Sequence, residues 1–149
     1  MAHSYSALYV HLVFATRGRL ALLSDAKTRM DMHSYLGGIC KDLGCPTFIV
    51  GGVADHVHIV ANQGRTIAIA HTVQELKKAS IRWMKDNGHM KFGWQDGYGA
   101  FSFGKDDLPR LVQYVGNQEE HHKKVSLDDE YRALLIEAGI PFDDKYLWG

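Results

Sequence analysis

The chain has 149 residues, of which 46% are apolar, and its 17 basic residues balance its 17 acidic ones. This length and apolar content predict a single domain over residues 1–149, with a core that needs no disulfide or structural metal. The charge balance lacks the basic excess of a general nucleic-acid binder. No segment resembles a membrane span or a signal peptide, and the two cysteines are too few for a disulfide framework. We therefore expect a cytoplasmic protein with no membrane partner.

The N-terminal part of the chain alternates strand-like and helix-like patterns. Residues 6–16 alternate with period two, which predicts a strand with one strongly apolar face. Ser24 is a suitable N-cap for the helical pattern that follows. Strands over 47–50 and 56–61, joined by a tight connection that begins at Gly51-Gly52, predict a hairpin.

The next elements complete a recognisable order. Thr66 is a suitable N-cap for a long helix, and residues 98–103 predict a short aromatic strand. The order βαββαβ predicts an α+β, ferredoxin-like fold, in which an antiparallel four-stranded sheet carries both helices on one face. We expect this core sheet within residues 5–104, a tyrosine-bearing helix over 107–124, and a C-terminal helix and tail over 126–149.

The segment Asp55-His56-Val57-His58 is the first motif that points to chemistry. Alternate residues of a strand project from the same face, so His56 and His58 place two imidazoles side by side while Val57 faces the core. Two imidazoles make half of a metal site, and a metal usually needs a third protein ligand. On this motif alone, two hydrogen-bonded or surface histidines are the simpler interpretation.

The helix after Asp107 offers a polar face beside its apolar stripe. Tyr114 and Gln118 lie one turn apart on that polar face. Gly116 lies between them and costs about 1 kcal/mol relative to alanine, so the helix is either locally soft or closely approached there. From spacing alone, a half-exposed tyrosine with solvated neighbours is the simpler interpretation.

The segments DHVHIV, GYGAFS and YVGNQEEHHKK, in this order and spacing, resemble the single-tyrosine transposases of the insertion-sequence-200/605 type. These are the smallest members of the HUH nuclease superfamily. The resemblance extends from the opening HLVFATRGR through Asp129-Glu130-Tyr131 to the final Tyr146-Leu147-Trp148. It implies a DNA transposase that cleaves and rejoins single-stranded DNA and so moves an insertion sequence.

By position, the resemblance implies Tyr114 as the nucleophile and His56, His58 and Gln118 as ligands of Mg²⁺ or Mn²⁺. A Lewis-acid ion polarises the phosphodiester and neutralises its charge, and these three neutral ligands would leave the ion's charge undiminished. The reaction would leave a 5′-phosphotyrosine on Tyr114 and a free 3′-OH. No nucleotide cofactor is implied.

Two further residues are candidates for supporting roles near the implied ligands. Asp55 precedes the histidine pair, and His121 lies one turn beyond Gln118, where an imidazole is able to transfer protons near neutral pH. For His121 and His122 together the alternative is a plain position on the helix surface, which the sequence alone favours, and His11 has no predicted role.

The resemblance also implies partners and a location. Family members act as homodimers in which the tyrosine helix of one subunit completes the histidine site of the other, in the bacterial cytoplasm and at the nucleoid when acting. Their DNA is single-stranded with hairpin ends. Basic side chains are the candidates for binding it, with a solvated helix face as the alternative for part of the set: Arg17, Arg19, Lys77, Lys78, Arg82 and Lys85.

Two other functions are compatible with these residues. A domesticated host endonuclease that processes repeated chromosomal hairpins would share every residue named above. A non-enzymatic ferredoxin-like module that binds a metal or a small ligand would instead leave Tyr114 dispensable.

Overall fold

A computed structural model describes residues 3–148 and has the predicted α+β architecture. All neighbouring strands pair antiparallel in the order β2-β3-β1-β4, as in a ferredoxin-like fold. The βαββαβ core consists of β1 (Tyr9–Ala15), α1 (Ala26–Asp42), β2 (Thr47–Val53), β3 (His56–Asn62), α2 (Ile69–Asp86) and β4 (Gly99–Ser102). The elements that follow are α3 (Leu108–Gly116), α4 (Gln118–His121) and α5 (Leu127–Glu137).

The sheet is the middle layer of three. On one face, Phe14 and Val57 belong to the main core, to which α1 contributes residues such as Leu36 and α2 residues such as Leu76. On the other face, α3 packs on β3 and α5 packs on β1, through two smaller apolar clusters: Val60 with Leu111 and Val115, and Val13 with Tyr131 and Leu135. Strand β3 is therefore buried on both faces. Each helix within residues 3–148 is too short or too polar to cross a bilayer.

The helices α1 and α2 begin at other residues than the cap patterns predict. Asp25, not Ser24, is the N-cap of α1, because its carboxylate accepts the Thr28 N–H at 2.9 Å. Helix α2 begins after Ala68 without a side-chain cap, so the prediction of Thr66 as N-cap was wrong. The Gln63 amide donates to the Ile67 carbonyl at 2.9 Å and thereby holds the segment that precedes α2 in a non-helical path.

The β2–β3 hairpin turns later than predicted. Strand β2 continues through Gly51 and Gly52, and the turn lies at Ala54 and Asp55. Gly51 pairs with His58 across the strands, and a Cβ at Gly51 would lie 2.7 Å from the Val115 carbonyl oxygen. The glycine therefore permits the close approach of α3 to the sheet, beside the strand that carries the histidine pair.

We predict that Gly51→Ala destabilises the protein by about 1–3 kcal/mol, because the added methyl group overlaps the backbone of α3. The matched control is Gly38→Ala on the exposed side of α1, where an added Cβ meets nothing within 4 Å. It should stabilise the protein by about 0.5–1 kcal/mol through helix propensity. Urea unfolding of both variants checks this, and equal midpoints would show that α3 does not rest on Gly51.

Candidate active site

The tyrosine-bearing segment is two helices instead of the single helix predicted over 107–124. Helix α3 ends at Gly116, Asn117 has φ −104° and ψ 21°, and α4 begins at Gln118. A Cβ on Gly116 would meet only Ile49, at an ordinary 3.5 Å, so close packing does not require this glycine. Gly and Asn are both weak helix formers, which accounts for the break. Beyond it, the Gln118 side chain is buried.

The two histidines of β3 lie on the predicted common face. His56 and His58 are fully buried, while Val57 between them belongs to the opposite core. Asp55 Oδ1 lies 2.7 Å from His56 Nδ1, and His11 Nε2 lies 2.8 Å from His58 Nδ1. A metal-ligating histidine usually gives its other ring N–H to such an acceptor, which fixes the ring orientation. Both rings are thus held with Nε2 toward the same space.

His11 is a residue whose role the sequence did not indicate. It lies on β1, and its ring stacks on the His58 ring with centroids 5.0 Å apart. Burial, together with the neighbouring His58, lowers the pKa of His11 to about 3. A neutral His11 can accept the Nδ1 proton of His58. In that tautomer His58 Nε2 no longer donates to Glu130 and is free as a ligand atom.

Glu130 on α5 lies at the centre of the site, and no role for it was predicted. Its Oε1 lies 3.2 Å from His58 Nε2 and 3.3 Å from His56 Nε2. The Gln118 amide donates to Oε2 at 3.0 Å, and Gln118 Oε1 lies 3.0 Å from His56 Nε2. His122, which was expected at the surface, lies 2.9 Å from Oε1 through its Nε2.

The Glu130 carboxylate is stabilised in its charged form although its side chain is almost completely buried. Burial by itself raises the pKa of Glu130. Hydrogen bonds from His122, His56 and His58 outweigh burial and hold that pKa well below its ordinary value. The pKa of His56 shows the complementary effect. Burial lowers it, yet the contacts with Asp55 and Glu130 raise it to about 9 overall.

Tyr114 joins this site through its hydroxyl group, which donates to Glu130 Oε2. The Tyr114 and His58 rings meet edge to face with centroids 5.8 Å apart. Burial, followed by the adjacent Glu130 carboxylate, raises the pKa of Tyr114 far above its ordinary value. In this arrangement the side chain is a neutral phenol, held within one chain next to the histidine pair.

The donor set suits a divalent metal ion. Ligand atoms of His56, His58 and Glu130 lie within 4.8 Å of one another, and those of His121, His122 and Glu130 form a second such group. His121 Nε2 is buried and has no hydrogen-bond partner within residues 3–148, although Glu130 Oε2 lies 3.3 Å away. Imidazole with carboxylate suits Mn²⁺, Zn²⁺ or Fe²⁺, whereas Mg²⁺ prefers oxygen ligands. Glu130 also adds a negative charge to a ligand set predicted to be neutral.

The basic residues predicted to bind DNA do not surround this site. Three of them lie exposed on α2, in the layer on the opposite face of the sheet: Lys78, Arg82 and Lys85. The Lys77 ammonium instead donates to the carbonyls of Gln95, Asp96 and Gly97, so all three of its protons serve this loop.

The two arginines after β1 occupy a separate place. The Arg19 guanidinium lies 5.2 Å from the Trp148 ring centroid and 3.7 Å from Asp128. Arg17 and Arg19 both line a cavity of about 520 Å³ that also contacts Lys145. Arg19 therefore braces the start of α5 and the C-terminal segment, while Arg17 remains exposed.

One family model matches most of this chain, and solved structures share its fold. The model of the transposase IS200-like family matches residues 4–118. A candidate transposase of Deinococcus radiodurans R1 aligns with a TM-score of 0.63 and 22% identity, over 79% of this chain and 95% of that one. A REP-associated tyrosine transposase bound to a REP hairpin aligns with a TM-score of 0.60 and 15% identity, over 84% of this chain and 74% of that one. No curated protein gives a match.

We predict that the affinity of the metal-free protein for Mn²⁺ rises by about tenfold per pH unit from neutrality toward pH 9. The reason is that an ion must displace the His56 proton, whose pKa is about 9. The Asp55→Asn variant lacks a carboxylate that raises the pKa of His56, so its Mn²⁺ affinity should stop rising at a lower pH. Its plateau should also lie at least about tenfold below that of the unmodified protein. Calorimetric titration measures both curves, and a flat wild-type profile would contradict the prediction.

Proposed function

Because this chain belongs to the IS200-like transposase family, we propose that it cleaves and rejoins single-stranded DNA through a covalent bond to Tyr114. The observation that carries the proposal is the shared carboxylate. The Tyr114 hydroxyl donates to the same Glu130 side chain that contacts His56 and His58. A nucleophile thus lies next to a buried set of metal-ligand atoms, as attack on a phosphodiester requires.

The proposed reaction is an in-line displacement. The Tyr114 hydroxyl gives up its proton as its oxygen forms a bond to phosphorus. The bond from phosphorus to the 3′-oxygen breaks, that oxygen takes up a proton, and the products are a 5′-phosphotyrosine and a 3′-OH. Attack of another 3′-OH on the phosphotyrosine reverses the step and joins a new pair of strands. The energy of the cleaved phosphodiester is conserved in the protein–DNA bond, so the exchange needs no nucleotide cofactor.

The side chains around Tyr114 prepare this step in distinct ways. Asp55 and His11 orient the rings of His56 and His58, and the Gln118 amide holds the Glu130 carboxylate. Of the two ions that the resemblance implies, Mn²⁺ suits this donor set better than Mg²⁺, and when bound it would supply a Lewis acid for the phosphate and positive charge against the phenolate. The residues that would hold it are His56, His58 and Gln118, together with Glu130.

The DNA partner is proposed on the family relationship. A structural relative binds a REP hairpin, which supports single-stranded DNA with hairpin ends as the substrate of this chain as well. The exposed basic residues of α2 and Arg17 are the proposed contacts with its phosphates. A cytoplasmic location in a bacterium stays a prediction, as does the homodimer.

One contact in the site favours an enzyme over the non-enzymatic module. A module that only binds a metal or small ligand has no use for a half-buried tyrosine hydroxyl bonded to a ligand carboxylate, so the Tyr114–Glu130 contact favours the enzyme. A host endonuclease would use the same chemistry, and the genomic position of the cleaved DNA distinguishes it from a mobile element.

Tyr114→Phe should abolish the covalent adduct, a loss of roughly a thousandfold or more, because phenylalanine has no oxygen to attack phosphorus. DNA binding should persist, since the ring and its packing remain. A denaturing gel with end-labelled single-stranded DNA from the gene flanks, with Mn²⁺ present, detects the protease-sensitive adduct. An adduct formed by Tyr114→Phe would show that another residue is the nucleophile.

The single-chain geometry also supports action of Tyr114 in its own subunit's site, instead of the exchange between subunits that the resemblance implies. Mixing Tyr114→Phe with His56→Ala should then fail to restore cleavage, since neither chain has both the nucleophile and both histidine ligands. Mixing Tyr114→Phe with unmodified protein is the control for the mixing procedure. Recovery of cleavage in the first mixture, to roughly a quarter or more of the wild-type rate, would establish composite sites.

A further inference from the structure

A cavity of about 530 Å³ opens directly beside Tyr114, between β4, α3 and α5. Tyr114 and Glu130 line the cavity, and both also belong to the candidate active site. The cavity is therefore continuous with the place where phosphorus must be attacked. Its volume lies within the range of small-ligand sites, roughly 300–1,000 Å³. Nothing in the reaction proposed above uses this space.

The walls of the cavity are aromatic and aliphatic. His11 and the half-buried Phe101 and Phe103 come from the sheet, while Leu111 and Leu134 come from the helices above it. Flat aromatic walls of this kind stack on nucleobases, and each such contact is worth about 1–3 kcal/mol in single-stranded DNA complexes. A hydrated phosphate has no favourable contact with them.

The exposed rim of the cavity is acidic. Asp107, Asp129 and Glu137 line it with one basic residue, Arg110, whose guanidinium lies 3.5 Å from Asp107. The guanidinium of Arg132, outside the lining, lies 3.4 Å from Asp129, which leaves Glu137 as the carboxylate without a basic neighbour among the lining residues. Carboxylates repel the DNA backbone, but they accept hydrogen bonds from the exocyclic amino groups of bases, as aspartate and glutamate do with cytosine. The charge of the rim therefore selects for a base and against a phosphate.

From these features we propose that the cavity is a nucleobase site, which receives one of the two bases flanking the scissile phosphate and prefers bases with an exocyclic amino group. The inference rests on the proposed function for its substrate and goes beyond it by naming a determinant of sequence preference. Cytosine, adenine and guanine fit the rim, whereas thymine lacks the amino donor. A base seated there would place the adjoining phosphate next to the Tyr114 hydroxyl.

The first test captures covalent adducts from a pool of single-stranded DNA with randomised sequence and determines the bases flanking the cut. We expect thymine to be depleted at least about threefold at one flanking position, equivalent to a discrimination of about 0.7 kcal/mol. Ala133→Leu, which adds bulk at the cavity wall, should remove this preference and raise KM, with Mn²⁺ affinity unchanged. If the four bases occur equally often at both flanking positions, the inference is overturned and the proposed function stays intact.

A matched control separates filling of the cavity from a general effect of the added side chain. Ala70→Leu places the same side chain on an exposed position of α2 outside the cavity, and it should keep the wild-type preference. Asp129→Asn retains the shape of the rim but removes one carboxylate, so it should reduce the preference by about half or more. Equal preferences in Ala70→Leu and Ala133→Leu would show that the cavity holds no base.

A second measurement is independent of cleavage. Cytidine 5′-monophosphate added to isotope-labelled protein should shift the amide resonances of Ser102, Ala133 and Leu134, and 5-methyluridine 5′-monophosphate, which carries thymine on the same ribose, should shift them less. The Ala133→Leu protein should show neither effect. If both nucleotides leave these resonances unmoved, or shift only the basic residues of α2, the inference is wrong even where the adduct assay succeeds. If no adduct forms but cytidine 5′-monophosphate produces the expected shifts, the base site stands and the proposed cleavage reaction fails.

Discussion

One buried carboxylate determines how the layer that carries the candidate active site is built. Glu130 is surrounded by imidazole, amide and phenol groups from β3, α3, α4 and the segment after α4. An isolated charge at this depth would be very unfavourable, so the layer over the sheet is stable only while these donors converge on it. The same convergence brings the Tyr114 hydroxyl and two imidazoles within reach of one another. Structural and chemical requirements are therefore met by the same contacts.

The sheet supports this layer by being buried on both sides. Strand β3 presents Val57 and Ile59 to the main core and His56 and His58 to the other face. Because β3 is hydrogen-bonded to β1 and β2 along its length, the histidine rings have a rigid backbone beneath them. Gly51, next to His58, lets α3 lie close to that backbone. The positioning of α3 over the histidine pair thus depends on the lack of a side chain at Gly51.

Local patterns in the sequence predicted what depends on local geometry. The period-two alternation around Val57 identified both the strand and the common face of the histidines, and the strand and helix order predicted the ferredoxin-like fold. The exact helix starts were less predictable, since the choice between Ser24 and Asp25 depends on one hydrogen bond. The break after Gly116 was visible only as a weak propensity, because helix continuation also depends on where Gln118 finds a partner.

The residues that the sequence missed act across long separations. His11 meets His58 through strand register, and Glu130 meets the histidines through the packing of α5, so no spacing along the chain indicates either contact. A glutamate in the first turn of a helix ordinarily signifies only a favourable interaction with the helix dipole. For Lys77 the error runs the other way, because a residue predicted to bind DNA instead donates to backbone carbonyls of residues 95–97. Its sequence neighbours do not reveal this contact. For Glu130 and for Lys77, the burial of the side chain in the folded structure is what distinguishes the two roles.

The break at Asn117 has a consequence for how the molecule opens in solution. The histidine pair belongs to an interior strand, whose amide protons should exchange with solvent only at free energies near that of global unfolding. The Tyr114 helix has nine residues, ends at the break, and rests on the sheet through two buried apolar side chains, so its amides should exchange through smaller, separate openings. We therefore expect the two halves of the site to open as different cooperative units. In the proposed reaction, a strand of DNA attached to Tyr114 would change position with this helix while the imidazoles stay where the sheet holds them.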